Sequence, residues 1–174
     1  MSRFKKAVLI GVVLSSCVGC DRVTKTVAEN HFASSQPIHL MGDVLQFQYT
    51  PNEGGFLGLG AELPAPVRFW LFTVFVGAAL IGALGFVWVS QAMNHPVNIL
   101  GVSLTIGGGL GNLIDRLLNG GEVVDFVNVG VGDLRTGIFN LADVAIMIGA
   151  GVLLVWNALL RKADKSKNDQ EQLT

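Results

Sequence analysis

Gly107-Gly108-Gly109-Leu110-Gly111-Asn112-Leu113-Ile114-Asp115-Arg116 ends a hydrophobic run with an amide, a carboxylate and a cation. A second stretch, Phe139-Asn140-Leu141-Ala142-Asp143, opens another apolar run and again sets an Asn three residues before an Asp. Between them lies Val123-Val124-Asp125-Phe126, a third carboxylate among apolar neighbours. Ionisable groups are costly in a bilayer, so those within membrane segments face a bundle interior or a water-filled cavity and mark function. Three Asp residues with no His or Cys among them point to carboxylate chemistry rather than to a metal or thiol site.

Working outward, the composition fits a membrane protein. Of 174 residues, 51% are hydrophobic and 14% charged, too little polar surface for a soluble domain of this size. The net charge of −1 gives no electrostatic basis for a nucleic-acid partner. The 22 glycines let helices approach closely in lipid. Four apolar runs stand out, at 7–23, 69–89, 97–114 and 138–160. The second carries no charge and is long enough to cross a hydrocarbon core of about 30 Å. Pro66 and Pro96 precede the second and third runs, where a helix start tolerates proline. The expected fold is an all-α membrane protein: a four-transmembrane-helix bundle with a small extracytoplasmic β-like segment and loop. Residues 1–163 read as one domain and 164–174 as a polar, disordered cytoplasmic tail.

Orientation follows from Lys and Arg near the span ends. Arg3, Lys5 and Lys6 precede the first run; Arg161, Lys162, Lys165 and Lys167 follow the fourth. Both termini are therefore expected in the cytoplasm, with 30–66, 119–137 and all three Asp candidates at the outer surface. Residues 38–49 alternate in part and suggest short strands. They lead into the Gly-rich segment 50–60. No Lys-Ser/Thr follows it and no βα pattern surrounds it, so it reads as an interfacial loop or lid rather than a phosphate cradle. The N-terminus has a competing reading, because Arg3-Phe4-Lys5-Lys6, an apolar stretch and Leu14-Ser15-Ser16-Cys17 resemble a lipoprotein signal peptide with its cleavage box. Cys17 and Cys20 form a CxxC pair without a thioredoxin-like context and read as packing residues. His31, His39 and His95 are scattered, and no H-E-x-x-H motif is present.

Taken together, these motifs resemble the lipoprotein signal peptidases (signal peptidase II), membrane aspartyl proteases of bacteria. The resemblance covers nearly the whole chain. It rests on Asp21-Arg22-Val23-Thr24-Lys25, Asn52-Glu53-Gly54-Gly55-Phe56, Gly111-Asn112-Leu113-Ile114-Asp115-Arg116, Val123-Val124-Asp125-Phe126 and Phe139-Asn140-Leu141-Ala142-Asp143, in that order among four spans. It implies a multi-pass protein of the inner membrane. The implied activity removes signal peptides from prolipoproteins, cutting just before a Cys that carries diacylglycerol. Two departures concern the outer side. Gly55 stands where the family usually has Ala, with Phe56 one residue early, and 119–122 looks slightly long.

Peptide hydrolysis needs an activated water and a proton for the leaving amine. Two carboxylates sharing one proton supply both, since like charges about 3 Å apart cannot both ionise. Asp143 is the first member; its plainer reading is a helix-start role with Asn140 as cap. The second is Asp125 or Asp115. Arg116 beside Asp115 favours a steadily ionised, structural carboxylate, whereas burial between Val124 and Phe126 suits Asp125 to hold the proton. The resemblance also pairs Asp125 with Asp143. Asn112, Arg116 and Asn140 would support the dyad with donors, although Arg116 also fits an interfacial snorkelling residue. Asn52 and Gly54 would line the substrate pocket or simply make a turn after Pro51. Asp21 and Lys25, four apart, fit either a helix-end ion pair or contact with lipid headgroups. The expected partners are diacylglyceryl prolipoproteins and membrane lipids, with no cofactor, no metal and a monomeric chain. The rivals are a small transporter, which would place its charges near the midplane, and a catalytically inactive binder of lipidated signal peptides.

Overall fold

The computed structural model describes residues 1–171. Helix α1 spans Arg3–Phe32, capped by Ser2, whose hydroxyl accepts from the Lys5 amide. At about 1.5 Å per residue it is longer than a hydrocarbon core is thick. Its apolar first part is followed by a more polar C-terminal part that carries Asp21, Arg22 and Lys25. Helix α2 spans Ala65–Val89, with Pro66 in its first turn. Residues Phe69–Phe75 within it are wound as a π-helix, a local widening frequent at functional sites. Helix α3, Pro96–Leu118, is capped by His95, which accepts from the Val97 amide. It ends in a Schellman turn: Gly120 has φ +66° and the Gly121 amide donates to the Arg116 carbonyl at 2.9 Å. Helix α4 spans Leu141–Glu171. Among the described residues, four helices are long and apolar enough to cross a membrane.

Each helix exceeds its apolar run, because polar side chains paired within the protein cost no helix at the ends. The largest difference is at the C-terminus. Polar composition predicts a disordered tail at 164–174, yet α4 continues through Glu171; residues 172–174 lie outside the described residues. The segment holds no Pro or Gly, and its Lys, Gln and Glu suit a helix, which hydrophobicity alone does not register.

Helix α3 is the hub, with α1, α2 and α4 all packed against it. Its glycines make this possible. A Cβ at Gly108 would collide with the Ala142 carbonyl oxygen, and one at Gly111 would come within 2.6 Å of the Asp21 carboxylate. Both helices bearing site residues thus sit against the glycine face of α3.

An antiparallel sheet lies beyond the helix ends in the order β1-β2-β3-β4, formed by Ile38–Leu40, Leu45–Asn52, Val123–Val131 and Leu134–Arg135. The partial alternation of 38–49 predicts β1 and β2. Strand β3 is longer than either and carries the Val-Val-Asp-Phe motif, where the sequence reading assigns no strand. Its first four residues are all buried, so the alternation that marks a half-exposed strand is missing. A register shift between Phe47 and Thr50 sets Thr50 opposite Asp125 and Asn52 opposite Val123.

Candidate active site

Asp125 is held from four directions. The Val124 amide donates to Asp115 Oδ2 at 3.1 Å, fixing β3 to the end of α3. The Phe126 and Val127 amides donate to the Phe139 carbonyl at 3.1 and 2.9 Å, which brings Asn140 alongside. Asn140 Nδ2 then donates to Asp125 Oδ1 at 2.6 Å, and Asn52 Nδ2 to Asp125 Oδ2 at 2.7 Å. The carboxyl is 1% exposed. Burial, partly offset by the Asn52 and Asn140 bonds and reinforced by the nearby Asp143 charge, pushes its pKa up to about 7.

Asp143 sits in the first turn of α4. Asn140 Oδ1 accepts from the Asp143 amide at 3.0 Å, and Asp143 Oδ2 accepts from the Asn140 amide at 3.2 Å. This reciprocal pair is a capping box, so the helix-start role is present in the same residues that face the other carboxylate. The remaining oxygen, Oδ1, accepts from Asn112 Nδ2 at 2.8 Å. Asn140 therefore joins the two candidate carboxylates, and its Nδ2 also reaches Asn112 Oδ1 at 3.0 Å.

Beneath this pair lies an ionic layer. Lys25, 2% exposed, directs Nζ to Asp21 Oδ2 at 2.8 Å, Asp115 Oδ2 at 2.8 Å and Asn112 Oδ1 at 3.0 Å. Two carboxylates and an amide oxygen surround the ammonium within 3.0 Å, and such pairing offsets the cost of burying its charge. Asp21 Oδ1 accepts from the Ala142 amide at 3.0 Å and so caps α4 from α1. Asp21 and Lys25 thus form a buried ion pair, and Lys25 does not reach for headgroups. Asp115 pairs with Lys25 and with Arg22, whose guanidinium is its second cation. The cation adjoining it in sequence, Arg116, points elsewhere. Arg116 donates from Nη2 to the Gly54 carbonyl at 2.6 Å, and its guanidinium lies 5.6 Å from the Phe72 ring centre. Arg116 is a clamp on the outer loop rather than a snorkelling residue.

Sequence reasoning missed Arg22. The signal is present, since Asp21 is the partner of Lys25 at i,i+4 and leaves Arg22 a surplus cation needing an acid from another helix. The layer holds four carboxylates (Asp21, Asp115, Asp125, Asp143) and three cations (Arg22, Lys25, Arg116). One proton on the Asp125–Asp143 pair makes it neutral.

The outer loop covers one side. Asn52 Nδ2 also donates to the Gly55 carbonyl at 3.0 Å, and the Gly54 amide donates to Asn52 Oδ1 at 2.8 Å. Asn52 is therefore both turn residue and carboxylate partner. A Cβ at Gly54 would meet backbone atoms at 2.7–2.9 Å. One at Gly55 would lie 3.1 Å from the Phe72 ring, a tight contact to which the ring would have to yield. Glu53 pairs with Arg68 at 2.7 Å, tying the loop to the start of α2. A cleft of about 500 Å³ opens beside the loop, with Asn52, Leu57, Glu122, Asp125 and Ile138 in its wall.

Residues 13–159 match the family model described as Signal peptidase (SPase) II. The chain is 33% identical over 156 residues to a lipoprotein signal peptidase of Leifsonia xyli subsp. xyli, covering 86% of this chain and 67% of that one. It is 33% identical over 149 residues to a lipoprotein signal peptidase of Halalkalibacterium halodurans, covering 85% and 91%. Its fold is similar to a bacterial membrane enzyme solved by the in meso method at 2.3 Å resolution, with a TM-score of 0.74, 26% identity and 90% of each chain covered. A helical multi-pass membrane chain with this buried carboxylate pair and this family match belongs to the signal peptidase II family.

Proposed function

We propose that the chain is an aspartic endopeptidase that removes the signal peptide from diacylglyceryl-modified prolipoproteins, cutting just before the lipidated Cys. Asp125 and Asp143 are its acid–base pair. The observation that carries this is Asn140: one buried residue donates to Asp125 and caps Asp143, so a single side chain links the two carboxylates. Asp125, with its pKa near 7, supplies the protonated member. Asp143, at the N-terminal end of α4 and accepting two hydrogen bonds, supplies the base. A water between them attacks the scissile carbonyl as Asp143 takes its proton. Asp125 first polarises the carbonyl oxygen and then returns a proton to the leaving amine.

Asn112, Asn140 and Asn52 orient the pair. Asp21, Lys25 and Asp115 position the helices that carry it, and Arg116 with Gly54 holds the outer loop at the entrance. Residues 1–163 act as one four-span bundle in the inner membrane, with both termini cytoplasmic and the dyad at the outer surface. The chain works as a monomer without cofactor or metal, and on no nucleic acid. Charges gathered at one end of the helices, rather than midway, favour a surface peptidase over a transporter.

The test is cleavage of a diacylglyceryl prolipoprotein by the purified chain, read by mass spectrometry. A product beginning at the lipidated Cys, lost in Asp125→Asn and in Asp143→Asn, supports the assignment. Binding without cleavage by the wild type leaves the inactive binder, and turnover surviving in Asp125→Asn but lost in Asp115→Asn moves the second member to Asp115.

A further inference from the structure

At the opposite end of the helices a second polar site is left without a role. Lys6 is 3% exposed. Lysine is almost never buried unless paired, yet among the described residues no carboxylate is bonded to it. A lysine that only marked orientation would extend its ammonium into the headgroup layer and stay exposed. Lys6 instead lines a cleft of about 260 Å³ with Arg3, Ser90 and Asn94, closed on one side by Trp88 and Val89. The cleft offers two cations, a hydroxyl and an amide, which is the chemistry that holds a phosphate.

The same Trp88 and Val89 also begin an apolar groove of about 600 Å³ that runs between α1 and α2 past Ile10, Gly11, Leu14 and Gly85. The groove exists because α1 and α2 pack on α3 more than on each other. It is open at two glycines, since a Cβ built on Gly11 or on Gly85 meets nothing within 4 Å. A cationic cleft running into an apolar groove matches an amphiphile with an anionic head.

We propose that this end of the protein binds one anionic phospholipid, its phosphate against Arg3 and Lys6 and an acyl chain in the α1–α2 groove. The lipid supplies the counterion that Lys6 lacks and fills the gap that α3 leaves between its two neighbours. The site lies at the far end of the chain from the dyad and is independent of the proposed reaction.

Native mass spectrometry of the full chain in detergent, with equal phosphatidylglycerol and phosphatidylcholine of matched acyl chains, tests this. The expected preference for phosphatidylglycerol is on the order of tenfold, two cations each contributing at an anionic headgroup. Arg3→Gln with Lys6→Gln should abolish the preference. Lys5→Gln removes a cation from the same exposed terminus outside the cleft and should keep it. Gly11→Leu with Gly85→Leu should weaken retention of both lipids without lowering the melting temperature. Inorganic phosphate at millimolar concentration should not displace the lipid. Equal retention of both lipids by the wild type, an equal loss of preference in Lys5→Gln, unchanged retention in the groove-filled variant, or displacement by phosphate would each overturn the proposal.

Discussion

The dyad layer and the outer loop meet at Asn52, and they are built on opposite principles. In the layer, Asp21, Lys25, Asp115, Asp125 and Asn140 are at most 2% exposed, and each makes contacts across helices or strands far apart in sequence. In the loop, Phe56 is 42% exposed and Leu59 69%, and beside the anchors from Arg116 to Gly54 and Arg68 to Glu53 the bonds are short-range turns such as Gly55 N to Leu59 O. Burial with many partners fixes the geometry of the charges that the proposed chemistry uses. Exposure with local bonds leaves apolar side chains free to meet a lipidated substrate. The buried members of the layer should therefore tolerate substitution poorly, whereas the loop should tune handling.

The largest effect is expected at the dyad itself. Asp125→Asn and Asp143→Asn should each lower kcat by about 10³-fold or more, since an amide acts neither as acid nor as base. Asp143→Asn also disturbs the α4 cap, so its melting temperature should fall further than that of Asp125→Asn. Equal turnover in wild type and Asp125→Asn would break the contrast at its centre.

Lys25→Met comes next. It strands Asp21 and Asp115 beside one another without their shared ammonium, a loss of about 3–5 kcal/mol. Arg22→Gln removes the other cation on Asp115, but Arg22 is 38% exposed, so water screens the loss and the cost should stay near or below about 1 kcal/mol. Chemical denaturation of the two variants checks the ratio. Similar costs would mean that burial does not separate the two cations.

How far these residues could be read from sequence divides along the same line. Asp115, Asp125, Asp143 and their asparagines are legible because polar residues at the edges of apolar runs are rare and costly. The spans are legible for the same reason. The pairings are not. Arg116 adjoins Asp115 in sequence but turns to Gly54 and Phe72, while Asp115 is met by Arg22 and Lys25 from another helix. Adjacent helix residues point about 100° apart, so neighbours in sequence seldom pair. Strand β3 and the end of α4 were hidden too, the first by burial on both faces and the second by a polarity that suits helix as well as disorder.

Acidity offers a smaller, graded effect. Because folding raises the Asp125 pKa from 3.8 to about 7, the folded protein binds that proton more tightly than the unfolded chain. Its stabilising contribution is complete below pH of about 4 and is lost as pH rises through about 7. Activity should follow the same limb, falling above pH of about 7 as the acid is consumed. Denaturation midpoints from pH 4 to 8 (approximate limits) should flatten in Asp125→Asn but not in a loop variant.

The smallest effect is expected at the loop, where it sharpens the comparison most. Phe56→Ala removes an exposed ring that no hydrogen bond depends on, so KM for a lipidated substrate should rise a few-fold with kcat and melting temperature unchanged. A proline at 54 or 55 is a harsher probe than mobility alone. The Gly54 amide donates to Asn52 Oδ1 and the Gly55 amide to the Leu59 carbonyl at 2.7 Å, and proline deletes the bond as well as fixing φ. Gly54→Pro removes one of the bonds that hold Asn52, the partner of Asp125, and should lower kcat, whereas Gly55→Pro breaks the loop's own turn and crowds the Phe72 ring, and should act on KM. Steady-state kinetics of the three variants then divide the loop from the layer at Asn52. If Gly55→Pro lowers kcat as much as Gly54→Pro does, the loop is part of the chemical machinery and the boundary lies further out.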